Sequence, residues 1–147
     1  MLRLLTKRPL GIKIAVIVEL VLAYISIGAG VELVHDPLGK TFGLQPLIPY
    51  MPFNLHNFVL VGVWLIVVYG MLPIILAAGL WFGKKWARLG SICLGAIVVT
   101  WILAEVFLFY SFGFTFFYPL IGGIGLATIV LSYLPSTREY TSSKSLP

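Results

Sequence analysis

Four stretches of the chain, residues 10–34, 55–82, 86–110 and 115–134, are almost free of charge. A helix that crosses a hydrocarbon core roughly 30 Å thick needs about 20 mostly apolar residues, and each stretch meets that length. Together they take up most of the 147 residues, of which 60% are hydrophobic and only 10% charged. A soluble fold of this size could not hide so much apolar surface.

The apolar runs are continuous and do not alternate, so they read as helices and not as barrel strands. A helix also satisfies its backbone within one segment, which lipid demands. The expected fold is an all-α integral membrane protein. Residues 1–134 form one domain, a four-transmembrane-helix bundle, and residues 135–147 a polar, mobile cytoplasmic tail. The leader MLRLLTKRPLGIK is basic like that of a secretory signal. Its apolar run is too long and no A-x-A-like site follows, so the first stretch is read as a retained span.

Orientation follows from the basic residues. Arg3, Lys7, Arg8, Lys13, Lys84, Lys85, Arg88, Arg138 and Lys144, nine of the ten, fall on one side of the four spans, and only Lys40 falls on the other. Cytoplasmic loops carry the excess of Lys and Arg, so both termini are expected in the cytoplasm and the chain in the cell membrane. The formal charge of +5 has the same origin. It points to anionic lipid and not to nucleic acid, since no basic patch is interleaved with base-stacking aromatics.

The three connections differ. WFGKKWARLG reads as a short cytoplasmic hairpin in which Gly83 permits a tight turn and Trp81 and Trp86 anchor at the interface. Residues 107–118 hold eight aromatics, an expected belt at the opposite surface. The loop HDPLGKTFGLQPLIPYMPFNLHN contains Pro37, Pro46, Pro49 and Pro52, which deny it a long helix. Phe42, Leu47, Ile48 and their neighbours make it too apolar to move freely in water, so it is expected to be ordered on the outer face. RPLG and ARLG each open a hairpin, but nothing else repeats.

Of five acidic residues, Glu19 alone lies deep within a span, within about 5 Å of the midplane at 1.5 Å rise per residue. No Lys, Arg or His is available at that depth, so a neutral, protonated carboxyl is the economical form. Candidate partners are Thr128 and the carbonyl of Tyr69, which Pro73 cannot answer because it has no N–H. Ala23, Ser26 and Gly30 follow Glu19 at helical offsets on one stripe, the expected packing face. Gly122 and Gly125 are expected to let helices approach closely in the last span. On this reading Glu19 is interhelical glue, with proton handling as the alternative.

A second constellation is expected on the outer side. Glu32, His35 and Asp36 end the first span, His56 precedes the second, and Glu105 lies at a comparable level on the third. Such a group could hold a divalent metal or pass protons at the edge of a quinone or substrate site, although its spacings match no metal motif. Cys93 is the only cysteine, lies inside a span and is read as a small buried hydrophobe, so internal disulfides and thiol pairs are excluded. No phosphate loop, dinucleotide fingerprint or H-E-x-x-H pattern occurs, and no cofactor is expected.

RPLGIKI at the first span, DPLGKTFGL and then PF before the second, the tryptophan-flanked basic hairpin, and WILAEV in the third occur in that order. In this the chain resembles a widespread group of small four-span membrane proteins of bacteria and archaea. The resemblance implies the fold and no activity, and LHNF after the PF offers no acidic residue to carry over. A looser likeness to DoxX-type quinone-linked proteins rests on size and span number.

Two functions are therefore expected as alternatives. One is a non-catalytic accessory subunit of a larger membrane assembly, whose partners are lipid, other subunits or a second copy. The other is a small quinone-linked or proton-coupled protein using Glu19 or the outer Glu and His group.

Overall fold

The computed structural model describes residues 8–109 and 117–143. Among them the chain is all-helical, without strands. In order come α1 (Leu10–His35), two short 3-10 turns (Gln45–Tyr50 and Pro52–Asn54), α2 (Val59–Trp64), a π-helical segment (Leu65–Met71), α3 (Leu72–Trp81), α4 (Lys85–Phe109), α5 (Phe117–Tyr133) and α6 (Pro135–Ser143). Among the described residues three runs are long and apolar enough to cross a membrane: Leu10–His35, Val59–Trp81 and Lys85–Phe107. Tyr118–Tyr133 and Pro135–Ser142, which meet at a 60° bend, are a further candidate if they count as one span.

Two compact units divide the chain. The first holds Met1–Val21 and Pro73–Pro147, the second Leu22–Leu72.

In the first unit α4 and α5 run antiparallel and pack closely through glycine. A Cβ built on Gly95 would stand 2.7 Å from the carbonyl oxygen of Gly125, and one on Gly125 would stand 2.8 Å from Cγ1 of Val98. Further along, Gly122 faces Ile102, and Glu105 lies near Tyr118. These pairings fix one register along the two helices, in which Ser91 and Ser132 lie at the same level. α3 turns into α4 at Gly83, whose φ of 71° suits glycine. There the N–H of Gly83 bonds to the Leu80 carbonyl and that of Lys84 to Gly79, closing the helix end.

One end of this unit gathers three parts of the chain. The Arg8 guanidinium lies 3.9 Å over the Trp81 ring, and its Nε donates to the Trp81 carbonyl. Tyr140 of α6 donates its hydroxyl to the same carbonyl. Gly11 of α1 meets Thr137 of α6.

The tail, expected without regular structure, is helical over Pro135–Ser143. Pro135 begins α6, where its missing N–H costs nothing, and Thr137 and Thr141 are buried one turn apart. The Thr141 hydroxyl donates to the Thr137 carbonyl. Cys93 also departs, being exposed. The buried stripe of α4 runs through Ala87, Ser91, Leu94 and Val98, and Cys93 falls off it.

In the second unit Gly30 and Gly62 meet reciprocally, each Cβ position lying under 3 Å from the other's carbonyl oxygen. The expected span over 55–82 becomes helical only at Val59. Phe53 and Asn54 both have positive φ, and the Asn57 side chain accepts the Val59 N–H at 3.2 Å. Before Pro73 the helix widens to π geometry, with the Leu72 N–H reaching back five residues to Val67. Pro73 follows directly and has no N–H with which to continue the ladder.

Candidate functional site

Glu19 is 0% exposed, and neither of its carboxyl oxygens has a hydrogen-bond partner. It sits on the stripe of α1 that also buries Ile12 and Ala15. Ser91 of α4 presents its hydroxyl toward Glu19. That hydroxyl gives its proton to the Ala87 carbonyl of its own helix, 2.9 Å away, and completes no hydrogen bond to the carboxyl.

Thr128 is buried too, but its hydroxyl donates to the Ile124 carbonyl at 2.9 Å. Ser132, one turn on, is 0% exposed and donates to the Thr128 carbonyl at 2.8 Å. Of these hydroxyls, the one shown against Glu19 is that of Ser91, whose proton is already given to its own helix. Tyr69 belongs to the second unit, where its side chain is buried in the π segment beside Gly70. Ala23, Ser26, Gly30 and Pro73 are all buried.

Ser91 and Ser132 were not singled out from the sequence, although a signal for them exists. Glu19 follows Lys13 by six residues, Ser91 follows Lys85 by six, and Ser132 precedes Arg138 by six. The equal offsets of Glu19 and Ser91 from the lysines that precede them on α1 and α4 are the part of this signal that stays within single helices.

The other constellation is more open. Glu32 is half-buried, and His35 and His56 are exposed. Nδ1 of His35 lies 3.0 Å from the Val31 carbonyl, where its N–H tautomer donates. Asp36 accepts the Thr41 N–H at 2.8 Å and the Thr41 hydroxyl at 3.2 Å. The backbone bond from Thr41 is the main reason the Asp36 carboxyl titrates below its ordinary range, with Lys40 adding to it. Glu105 is half-buried beside Trp101. Among the described residues no three of His, Cys, Asp and Glu come together as metal ligands would. The Asp36 carboxylate is occupied in closing the turn.

The aromatic belt expected over 107–118 lies mostly outside the described residues. In the loop, Phe53 is 93% exposed and Phe42 and Tyr50 are exposed, while Leu47 and Ile48 are half-buried. Comparison with protein-family models, with curated proteins and with solved structures gives no match for this chain.

Proposed function

We propose that this chain is a four-span protein of the cell membrane, with both termini cytoplasmic, that works by holding an exchangeable proton on Glu19. One observation carries the reading: a fully buried carboxyl, in a helix fit for hydrocarbon, with no hydrogen bond to either oxygen. The Ser91 hydroxyl, which faces Glu19, gives its proton to Ala87 and so offers an ionised Glu19 no donor. An ionised carboxylate left bare in such surroundings is costly, whereas a neutral acid carries its own donor.

The span count is supported by the three long apolar helices and by the 60° bend after Tyr133, where an apolar helix gives way to a polar one. The orientation is supported by Arg8, the turn at Gly83 and α6 meeting at one end, the end richest in Lys and Arg. Infrared difference spectra of purified protein in lipid, taken between acid and alkaline buffer, test the proton. A protonated-carboxyl band that disappears at alkaline pH and is missing in Glu19→Gln supports it. No Glu19 band at any pH refutes it.

A second reading, an accessory subunit of a larger membrane assembly, is favoured by a shallow groove on α4. Ala96, Ile97, Thr100, Trp101 and Ala104 line it. Ala96, Thr100 and Ala104 repeat every four residues on an exposed face, the spacing that lets a second helix come close. Stoichiometric co-purification with larger subunits from native membranes would favour this reading.

A further inference from the structure

The segment between α1 and α2 is fastened at its base and open beyond it. The Phe58 N–H bonds to the Pro37 carbonyl at 2.8 Å, so the two ends of the loop are held together where α1 ends and α2 begins. Phe58 itself is buried at that clasp. No residue of the 3-10 turn Gln45–Tyr50 is buried, and Phe42, Tyr50 and Phe53 are exposed. Phe53 is the extreme case. It and Asn54 have positive φ, a region that a bulky side chain rarely adopts, and its ring gains almost no packing in return.

Three observations say what the exposed rings meet. The first is charge: residues 41–58 contain no Asp, Glu, Lys or Arg, where a water-borne segment of that length would carry about four or five. The second is depth. α1 has 26 residues and is about 39 Å long, more than the roughly 30 Å of a hydrocarbon core, so the clasp at its C-terminal end lies among headgroups. The third is the backbone. An irregular segment enters a poorly hydrated zone at low cost only if its N–H groups are answered. Pro46, Pro49 and Pro52 have none to answer, and Thr41, Gly43, Leu44, Leu47 and Met51 bond theirs within residues 36–51.

We propose that this loop lies in the bilayer itself, with Phe42, Tyr50 and Phe53 seated in the outer leaflet at the boundary between headgroups and acyl chains. Along the chain, exposed apolar residues run from Val34 and Leu38 through these three rings to Leu60, so the loop continues the lipid-facing surface of the helices it joins. With no charge in the segment, the contact is apolar and asks for no anionic lipid. This rests on the reading of α1 and the α2 to α3 run as spans and is independent of Glu19.

Nitroxide labels on single cysteines test this in phosphatidylcholine vesicles, with Cys93 replaced by serine. Oxygen concentrates in lipid and a neutral nickel chelate in water, so the ratio of their relaxation effects reads where a label sits. Labels at Tyr24, exposed on α1, and at Ser142, exposed on the polar α6, set the lipid and water references. Labels at Phe53 and at Tyr50 should give oxygen-to-nickel ratios well above that at Ser142 and toward that at Tyr24. Both side chains are exposed, so neither replacement opens the core. Phe53→Asp should move the Tyr50 label toward the Ser142 value, because a carboxylate is drawn back to water.

Ratios at Phe53 and Tyr50 equal to that at Ser142 would put the loop in water, and weak relaxation by both reagents would mean that protein covers it. Either result overturns the proposal and leaves the spans standing. A Tyr50 label unmoved by Phe53→Asp would overturn the seat assigned to Phe53. A Tyr24 label that reads water would overturn the spans as well.

Discussion

Gly95 and Gly125 meet backbone to backbone: a methyl on Gly95 would lie 2.7 Å from the Gly125 carbonyl oxygen, which cannot move without moving α5. Gly95→Ala should therefore destabilise the protein by about 1–3 kcal/mol, the usual cost of overpacking. Gly122→Ala is the control, since its nearest contact would be 3.5 Å from Ile102, an ordinary distance. That change should be neutral or slightly stabilising, because alanine favours helix over glycine by roughly 1 kcal/mol. Reversible unfolding in mixed micelles measures both, and equal losses in the two variants would contradict the packing described.

Much of this architecture was legible because lipid leaves a helix few options. Apolar length located α1, the α2 to α3 run, α4 and α5 to within a few residues, and Gly83 announced its turn. The sequence was silent where one residue acts through another. Gly95 is indistinguishable from Gly90 or Gly123 until α5 lies against it. Widening of the helix before Pro73 depends on how the backbone redistributes a missing bond, which composition does not encode. The tail looked mobile because Thr137 and Thr141 are polar, yet in α6 they are buried. Glu19 stood out by its charge, whereas Ser91 did not, because serine inside a span can bond its own helix and signal nothing.

Topology is the next prediction. With Cys93 replaced by serine, cysteines introduced one at a time at Lys84 and Ser142 should resist an impermeant thiol reagent in intact cells. A cysteine at Lys40 should react. Labelling at Lys84 with protection at Lys40 would invert the orientation.

The turn after α1 should loosen in acid. Thr41 favours the ionised form of Asp36, so the folded titration point lies below the unfolded one. The contribution is then fully present above the ordinary carboxylate range and is lost as pH falls through the lowered value. Protection of the Thr41 amide against hydrogen exchange, corrected for the intrinsic rate, should drop across that acid window. In Asp36→Ala it should be low at every pH. A pH-independent Thr41 amide in the native chain would contradict this account.

Arg8 should couple to Trp81 specifically. A guanidinium stacked on an exposed indole is worth about 0.5–1 kcal/mol, and a lysine would keep the charge without the planar stack. A double-mutant cycle with Arg8→Met and Trp81→Leu should return a coupling of about that size, and Arg8→Lys should keep part of it. Zero coupling would mean that the contact orders nothing.

Glu19 separates structure from function most sharply. If its carboxyl were glue, Glu19→Leu would remove a real interhelical bond and lose about 0.6 kcal/mol, while Glu19→Gln, still polar, would lose less. The geometry argues for the opposite order. A carboxyl buried without a partner carries an uncompensated desolvation cost of about 1–3 kcal/mol, and an apolar side chain of similar size removes that cost. Glu19→Leu should therefore be at least as stable as the native chain, and Glu19→Gln no more stable than Glu19→Leu. Both should lose the titrating carboxyl band, because neither can bind and release a proton. Unfolding in mixed micelles, run beside the infrared spectra, decides the matter. A leucine variant clearly less stable than the glutamine variant would show that the carboxyl is bonded in the folded state and holds the helices together.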